Sequence, residues 1–439
     1  MTADPRGLLG NLLAPALADA FLGAGGWSLA SLREATVVVL GRQPEWVVEV
    51  AEQILAAYPA PPSDRPEELV RFISSSQSFR LNVPGGPGAG IVHTVERRVA
   101  ATPTVWNRTR APRLDSVARL ADWLRLSTEE LEWFADTRGI NRRAKDRRLR
   151  HYRYLWLNGR LVEAPKPRLR ALQRMVLREL LDLVPTHDAA HGFVPGRSPH
   201  TFAAPHAGQP MVIRLDVTSF FASVSAARVY GLMRAAGLEP VAYMLTALCT
   251  TRTPADVLAT APAHVPGRDY RLALLRAPHL PQGAPTSPAL ANLCTFRLDR
   301  RLAGLAESYG LRYTRYADDL AFSGQLHVDG ALRFVERARA IAADEGFRIN
   351  AAKTRVRGVG DRQLLAGLVV NKAPAVPREE YDTLRALLHN AVHTGLAEQN
   401  REGHADFAAH LAGRISWVGH HHPTRAAKLQ ALLTRALAG

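Results

Sequence analysis

Cysteine is nearly absent from this sequence. Cys249 and Cys294 are the only two in 439 residues, too few for a disulfide framework or a structural zinc site. No uninterrupted apolar run approaches the ~20 residues that cross a bilayer. The N-terminus also lacks the basic-then-apolar order of a secretory signal. Both absences lead to the expectation of a cytoplasmic protein with no membrane partner. Acids are in short supply as well: 40 Asp and Glu face 56 Lys and Arg, for a net charge of +16. Such an excess favours a polyanionic partner and says nothing about fold.

The excess is uneven. Residues 1–100 hold eight basic and ten acidic residues, whereas 138–178 hold fourteen basic residues against Asp146 and Glu163. A solvated helix face mixes both signs, so the middle of the chain is the expected nucleic-acid surface. Arg147 and Arg148 lie in its densest run, 142–150. Arg170 and Arg174 lie on the outward face of a helix expected over 167–183, with Leu169, Leu172, Val176 and Leu180 inward. Arg385 and His389 line one face of a later helix at spacing four, which suits a phosphate backbone and equally suits a solvated face.

Around these stretches the pattern is mostly helical. Residues 8–58 read as helix, with Trp46, Val47, Val50, Ile54 and Leu55 on one side. Pro66 opens another helix with Asp64 as its cap, and 82–90 is a breaker-rich linker. Ser127 starts a capping-box helix. Tyr152, Tyr154 and Trp156 alternate into Asn158-Gly159, a two-residue hairpin turn. Further on, 211–221 reads as a half-buried strand carrying Asp216, 280–288 as a rigid loop, 347–350 as a short strand and 364–371 as another. His187, His191, His200 and His206, and the triplet His420–His422, invite a metal hypothesis, but their spacings match no dependable ligand pattern.

Asp318 and Asp319 sit at the tip of a hairpin expected over 312–324. Adjacent carboxylates repel, so a cation neutralising both would explain the pair; Asp is also simply a good turn residue. Asp216 near the end of a strand is costly unless hydrated, paired or metal-bound. Three carboxylates on adjacent antiparallel strands would make a hard-oxygen site for two Mg²⁺ ions. Beside a basic surface, the corresponding reaction is nucleotidyl transfer.

RLDVTSFF (214–221), LPQGAPTSP (280–288), YTRYADDLAFS (313–323) and NAAKTRV (350–356) resemble, in this order, motifs A to D of reverse transcriptases. GRLVEAPKPRLRALQR (159–174), AHGFVPGRS (190–198) and LLAGLVVN (364–371) resemble the bacterial retron-type branch, and the similarity runs over about 114–435. The resemblance implies an α+β right-hand polymerase. Residues 1–90 would form a helical domain of unknown role, 91–210 a lead-in and basic fingers, 211–371 the palm and 372–439 a helical thumb. It implies metal ligation and catalysis by Asp216, Asp318 and Asp319, with Lys353 assisting pyrophosphate departure. Arg160 and Lys166 would grip the incoming triphosphate, Phe221 would exclude a ribose 2′-OH, and Gln282 and Gly283 would line the nascent pair. Two departures stand out: Phe202 replaces the Asn of an Asn-Ala-x-x-His signature that keeps His206, and Leu365-Ala366-Gly367 replaces Val-Thr-Gly.

The function so implied is RNA-directed DNA polymerisation of retron type. A structured noncoding RNA would be copied into cDNA from dNTPs, in antiphage defence and with an effector or toxin protein as partner. The alternatives are another bacterial lineage (maturase-like, diversity-generating or untemplated) and a noncatalytic RNA-binding scaffold of polymerase fold. No nuclease motif or long DNA-binding extension is visible. An RNA-dependent RNA polymerase is opposed by Phe221.

Overall fold

The computed structural model describes residues 5–59, 61–62, 66–82, 91–92, 111–263, 265 and 267–438. The expected cap Asp64 and most of the expected linker 82–90 lie outside the described residues. The chain divides into two compact units. The first comprises Met1–Pro185, Ser219–Leu298 and Ala340–Arg348; the second comprises Thr186–Thr218, Asp299–Arg339 and Ile349–Gly439.

In the first unit, helices Pro5–Gly23, Leu29–Leu40, Glu45–Ala57, Pro66–Ser75 and Gln77–Asn82 close around Leu17, Phe21, Leu32, Val50, Ile54, Leu69 and Ile73. In Leu29–Leu40, Glu45–Ala57 and Pro66–Ser75 helical spacing creates the stripe that this core buries, whereas Pro5–Gly23 is buried nearly all round, from Leu13 and Ala14 to Phe21 and Leu22. Val47, Val50 and Ile54 are buried as the spacing predicts, with Trp46 and Leu55 packed at the edge. Ser127 and Glu130 form the expected capping box. Strands β1 (Tyr152–Leu157) and β2 (Arg160–Pro165) pair antiparallel across Asn158-Gly159, whose φ of 48° and 72° are the left-handed values a two-residue turn requires. The helix expected over 167–183 ends at Glu179, and a short 3₁₀ turn, Leu181–Leu183, follows it.

The second unit is built on a four-stranded antiparallel sheet in the order β4-β5-β3-β6. Its strands are β3 (Met211–Asp216), β4 (Arg312–Tyr316), β5 (Asp319–Gly324) and β6 (Arg355–Gly358). Central β3 is buried on both faces apart from Arg214, rather than on the one face expected from its alternation. The strand expected at 347–350 is reduced to one bridge, Ile349 to Val217, because Asn350 turns to cap the 3₁₀ turn Ala351–Lys353. The edge strand follows as β6, with Arg355 and Arg357 outward. Edge strands commonly carry such charges, which removes the apolar pattern that marks a strand.

The strand expected over 364–371 is instead a minimal hairpin, β7 (Leu364–Leu365) and β8 (Leu368–Val369). Ala366 and Gly367 turn it with φ of 45° and 84°. Helices Arg378–Thr394, Phe407–Gly419 and Pro423–Ala438 pack around Leu384, Leu388, Leu411, Ile415 and Leu429. Phe202 and Leu365, the two departures from the retron signatures, fall in this same apolar cluster. An Asn at 202 would sit there fully buried and would need polar partners.

Candidate active site

The carboxylates meet because of sheet order. β3 lies beside β5, and the register sets Asp216 opposite Asp319. Asp319 is thus the first residue of β5, while Ala317 and Asp318 form the turn; the expectation of both acids at the tip holds only for Asp318. The Asp318 carbonyl accepts from the Val217 amide at 2.8 Å, and the Asp216 carbonyl accepts from the Asn350 amide at 2.8 Å. These bonds hold the end of β3 to the hairpin tip on one side and to the turn bearing Lys353 on the other.

Asp216 is 4% exposed and its Oδ2 accepts from Lys353 Nζ at 2.7 Å. Both Asp319 oxygens accept from Arg214, Oδ1 from Nε and Oδ2 from Nη2, each at 2.9 Å. Burial raises the Asp319 carboxyl, Arg214 opposes this, and neighbouring Asp318 and Asp216 add to the rise. A cluster of carboxylates that raises its own members calls for positive charge. Two basic side chains already reach it, and hard oxygen donors of this kind suit a divalent cation.

Residues not anticipated from sequence hold the tip in place. Arg315, fully buried, donates through Nε and Nη2 to Asp299 at 2.8 and 2.7 Å and through Nη1 to the Ala317 carbonyl at 3.2 Å. The Tyr313 hydroxyl adds a 2.7 Å bond to Asp299. Residues 189–191 bond to Arg315 along the outer edge of β4. There Gly192 lies so close that a Cβ would stand 2.5 Å from the Ala317 nitrogen, so only glycine fits. His206 bridges β5 and β4, bonding Ser323 at 2.7 Å and Thr314 at 2.8 Å. An Arg in a strand carries no periodic signature, so the only available signal was a charged residue where alternation predicts burial.

The other expected binding residues lie mostly in the first unit. Arg160 is exposed at the start of β2. Lys166 donates to the Arg147 and Arg148 carbonyls at 3.0 and 2.8 Å, which anchors the basic loop. Arg147, Arg148 and Arg174 are exposed and Arg170 half-buried. Gln282 accepts through its carbonyl from the Glu163 amide at 2.8 Å, and Gly283, φ 130°, would bring a Cβ within 3.2 Å of the Glu163 carbonyl. The Gln-Gly loop therefore docks on β2, a contact not read from sequence. Glu163 is itself buried, accepting from His279 and Thr253 at 2.8 Å each. Phe220 is core and Phe221 half-buried. In the second unit Arg385 and His389 are exposed.

Comparison with known proteins decides the family. The profile of the reverse transcriptase (RNA-dependent DNA polymerase) family matches residues 158–366. Retron Mx162 reverse transcriptase of Myxococcus xanthus is 37% identical over 387 residues, covering 82% of this chain and 75% of that protein. The chain belongs to the retron-type reverse transcriptases. Retron Mx65 reverse transcriptase of the same organism is 46% identical over 277 residues, 62% of this chain and 60% of that protein. Retron Ec86 reverse transcriptase of Escherichia coli is 33% identical over 237 residues, 53% of this chain and 65% of that protein. For Mx65 and Ec86 the matched segment thus spans less than two thirds of the relative. The family consists of RNA-directed DNA polymerases that act on an RNA template and dNTPs and use divalent metal ions. Its fold accounts for a helix-rich chain with small antiparallel sheets. No helix among the described residues is long and apolar enough to cross a membrane.

Proposed function

We propose that this retron-type enzyme copies a structured noncoding RNA into cDNA by two-metal nucleotidyl transfer at Asp216 and Asp318. The observation that carries this reading is the juxtaposition of three carboxylates: Asp216 opposite Asp319 in the sheet register, and Asp318 in the adjoining turn, its carbonyl bonded to the Val217 amide. Asp216 and Asp318 are the principal ligands. Asp319, with both oxygens accepting from Arg214, completes the acidic cluster and fixes its charge. When bound, the ions supply Lewis acidity that eases deprotonation of an attacking hydroxyl and stabilises charge on the leaving oxygen.

The chain's own residues contribute orientation and charge. Arg315 and Asp299 keep the tip carbonyl in place. Lys353, its side chain 48% exposed, pairs with Asp216 and is long enough to turn toward departing pyrophosphate. Arg160 and Lys166 assist triphosphate binding, Gln282-Gly283 borders the nascent pair, and Phe221 selects deoxynucleotides by crowding a 2′-OH. Arg147, Arg148, Arg170, Arg174, Arg385 and His389 follow the template backbone. The right-hand division is palm over 211–371, fingers over 91–210 and thumb over 372–439, with 1–90 as a further helical domain. We further propose that it acts in the cytoplasm, in antiphage defence together with an effector protein.

The decisive experiment is incorporation of dNTPs by purified protein with its copurifying RNA and Mg²⁺. Asp318→Asn is expected to lower the rate by about 10³-fold or more, equivalent to about 4 kcal/mol of transition-state stabilisation. Extension that persists unchanged in this variant refutes the assignment.

A further inference from the structure

Three histidines unrelated to the carboxylate cluster converge in the second unit. His200 is the second residue of the short helix Pro199–Ala203. His420 caps helix Phe407–Gly419, and His421 follows in the turn before helix Pro423–Ala438. More than two hundred residues of chain separate the partners, so no local spacing announces the group. One nitrogen from each ring can be chosen such that all three lie within 4.8 Å of one another. His200 Nδ1 stands 2.7 Å from His421 Nε2, and the His420 ring lies over His200 at 3.8 Å between centroids.

We propose that His200, His420 and His421 form a zinc site that fastens the segment 198–206 to the corner between the last two helices. Three imidazoles without a thiolate or carboxylate suit a borderline ion such as Zn²⁺, not the Mg²⁺ of the carboxylate cluster, which prefers oxygen. Tetrahedral ligands at ~2.0–2.1 Å from zinc stand about 3.4 Å apart. The observed separations bracket that figure, so His200 and His421 part slightly and exposed His420 swings in. His200 is 6% exposed, and Trp417 packs against it at 4.3 Å between centroids, which fixes one ligand.

With His420 exposed and His421 half-buried, water could reach a bound ion and would complete its tetrahedral set. The site has a structural consequence. The segment it holds includes His206, which bonds to both strands of the catalytic hairpin. A metal at His200 therefore ties the C-terminal helices to the element that supports Asp318. The alternative is an ordinary hydrogen bond between two neutral imidazoles, with His420 stacked by chance.

The test uses the full, untagged chain, since an affinity histidine tag would mask the result. After equilibration with micromolar Zn²⁺ and dialysis, elemental analysis is expected to find about one zinc per chain. His200→Ala and His421→Ala should each lower the content to about one tenth, and His420→Ala should weaken binding by about tenfold. His404→Ala, which alters a second stacked histidine pair with His410, should leave it unchanged. Co²⁺ in place of zinc should give the visible absorption of a tetrahedral site in the wild type and His404→Ala, and not in the His200 and His421 variants. Should His200→Ala misfold by circular dichroism, the half-exposed His421→Gln carries the same prediction. Wild-type protein that retains no zinc, or zinc retained equally by the His200 and His421 variants, overturns the proposal. Neither outcome bears on polymerisation at Asp216 and Asp318.

Discussion

Replacing Arg315 by Met tests whether the buried ion pair behind the Ala317-Asp318 turn is as consequential as its geometry indicates. Arg315 and Asp299 are both 0% exposed, and the substitution removes two charge-assisted bonds to Asp299 and one to the Ala317 carbonyl. Asp299 then keeps the Tyr313 hydroxyl but loses the guanidinium that faces it. Breaking one side of a buried pair costs about 3–5 kcal/mol, because the survivor is left desolvated and unpaired. For a unit of ~150–250 residues each kcal/mol moves the midpoint by about 2–4 °C, so Tm should fall by about 6–20 °C.

The double replacement Arg315→Met with Asp299→Leu removes both charges, and buried pairs exchanged for apolar groups of similar volume are often neutral or stabilising. It should recover most of the lost stability while leaving the turn carbonyl without its donor, so activity should stay low. Thermal unfolding and dNTP incorporation on the two single variants and the double complete a mutant cycle. The reasoning is refuted if either single variant loses less than about 1 kcal/mol, or if the double is as unstable as the two singles summed.

Three further outcomes follow from the geometry. Gly192→Ala places a methyl 2.5 Å from the Ala317 nitrogen and should cost about 1–3 kcal/mol with a parallel loss of activity; a wild-type melting curve would contradict the tight approach. Arg214→Met removes the group that opposes the burial-driven rise of the Asp319 pKa, so the acidic limb of the pH–rate profile should move to higher pH. Since the folded pKa of Asp319 is raised, stability from this group is greatest at low pH and declines as pH rises through the folded value. Arg214→Met should therefore lose more stability than wild type between acidic and neutral pH, and an unmoved acidic limb counts against Asp319 being needed ionised. Phe221→Ala should admit ribonucleotides, read as the ratio of kcat/KM for dNTP and rNTP; a wild type that already uses both equally removes the gate.

Much of the local structure was legible because it obeys local rules. The Asn158-Gly159 hairpin, the Ser127 capping box, the stripe Val47, Val50 and Ile54, and β3 followed by the β4–β5 hairpin are each specified by residues within one or two turns of each other. Where expectation failed, charge or brevity hid the pattern. β6 alternates arginine rather than leucine, the β7–β8 hairpin is too short for period two to register, and Asn350 ended a strand early by capping a turn.

What the sequence by itself determined is the chemical inventory and its order along the chain: a carboxylate on a strand, a Gln-Gly loop, an Asp pair on a hairpin, a lysine beyond, and a basic stretch against which acids are scarce. Those features sufficed to identify a reverse transcriptase resemblance, since order and type are linear properties. The tertiary structure alone decided which charges meet. Sheet register set Asp319 opposite Asp216 and gave it Arg214, buried Arg315 found Asp299, and His200 reached His420 and His421 across most of the second unit. Side-chain partners far apart in sequence are chosen by packing and by the cost of leaving a buried charge or polar group unmatched, and neither leaves a periodic trace in the chain.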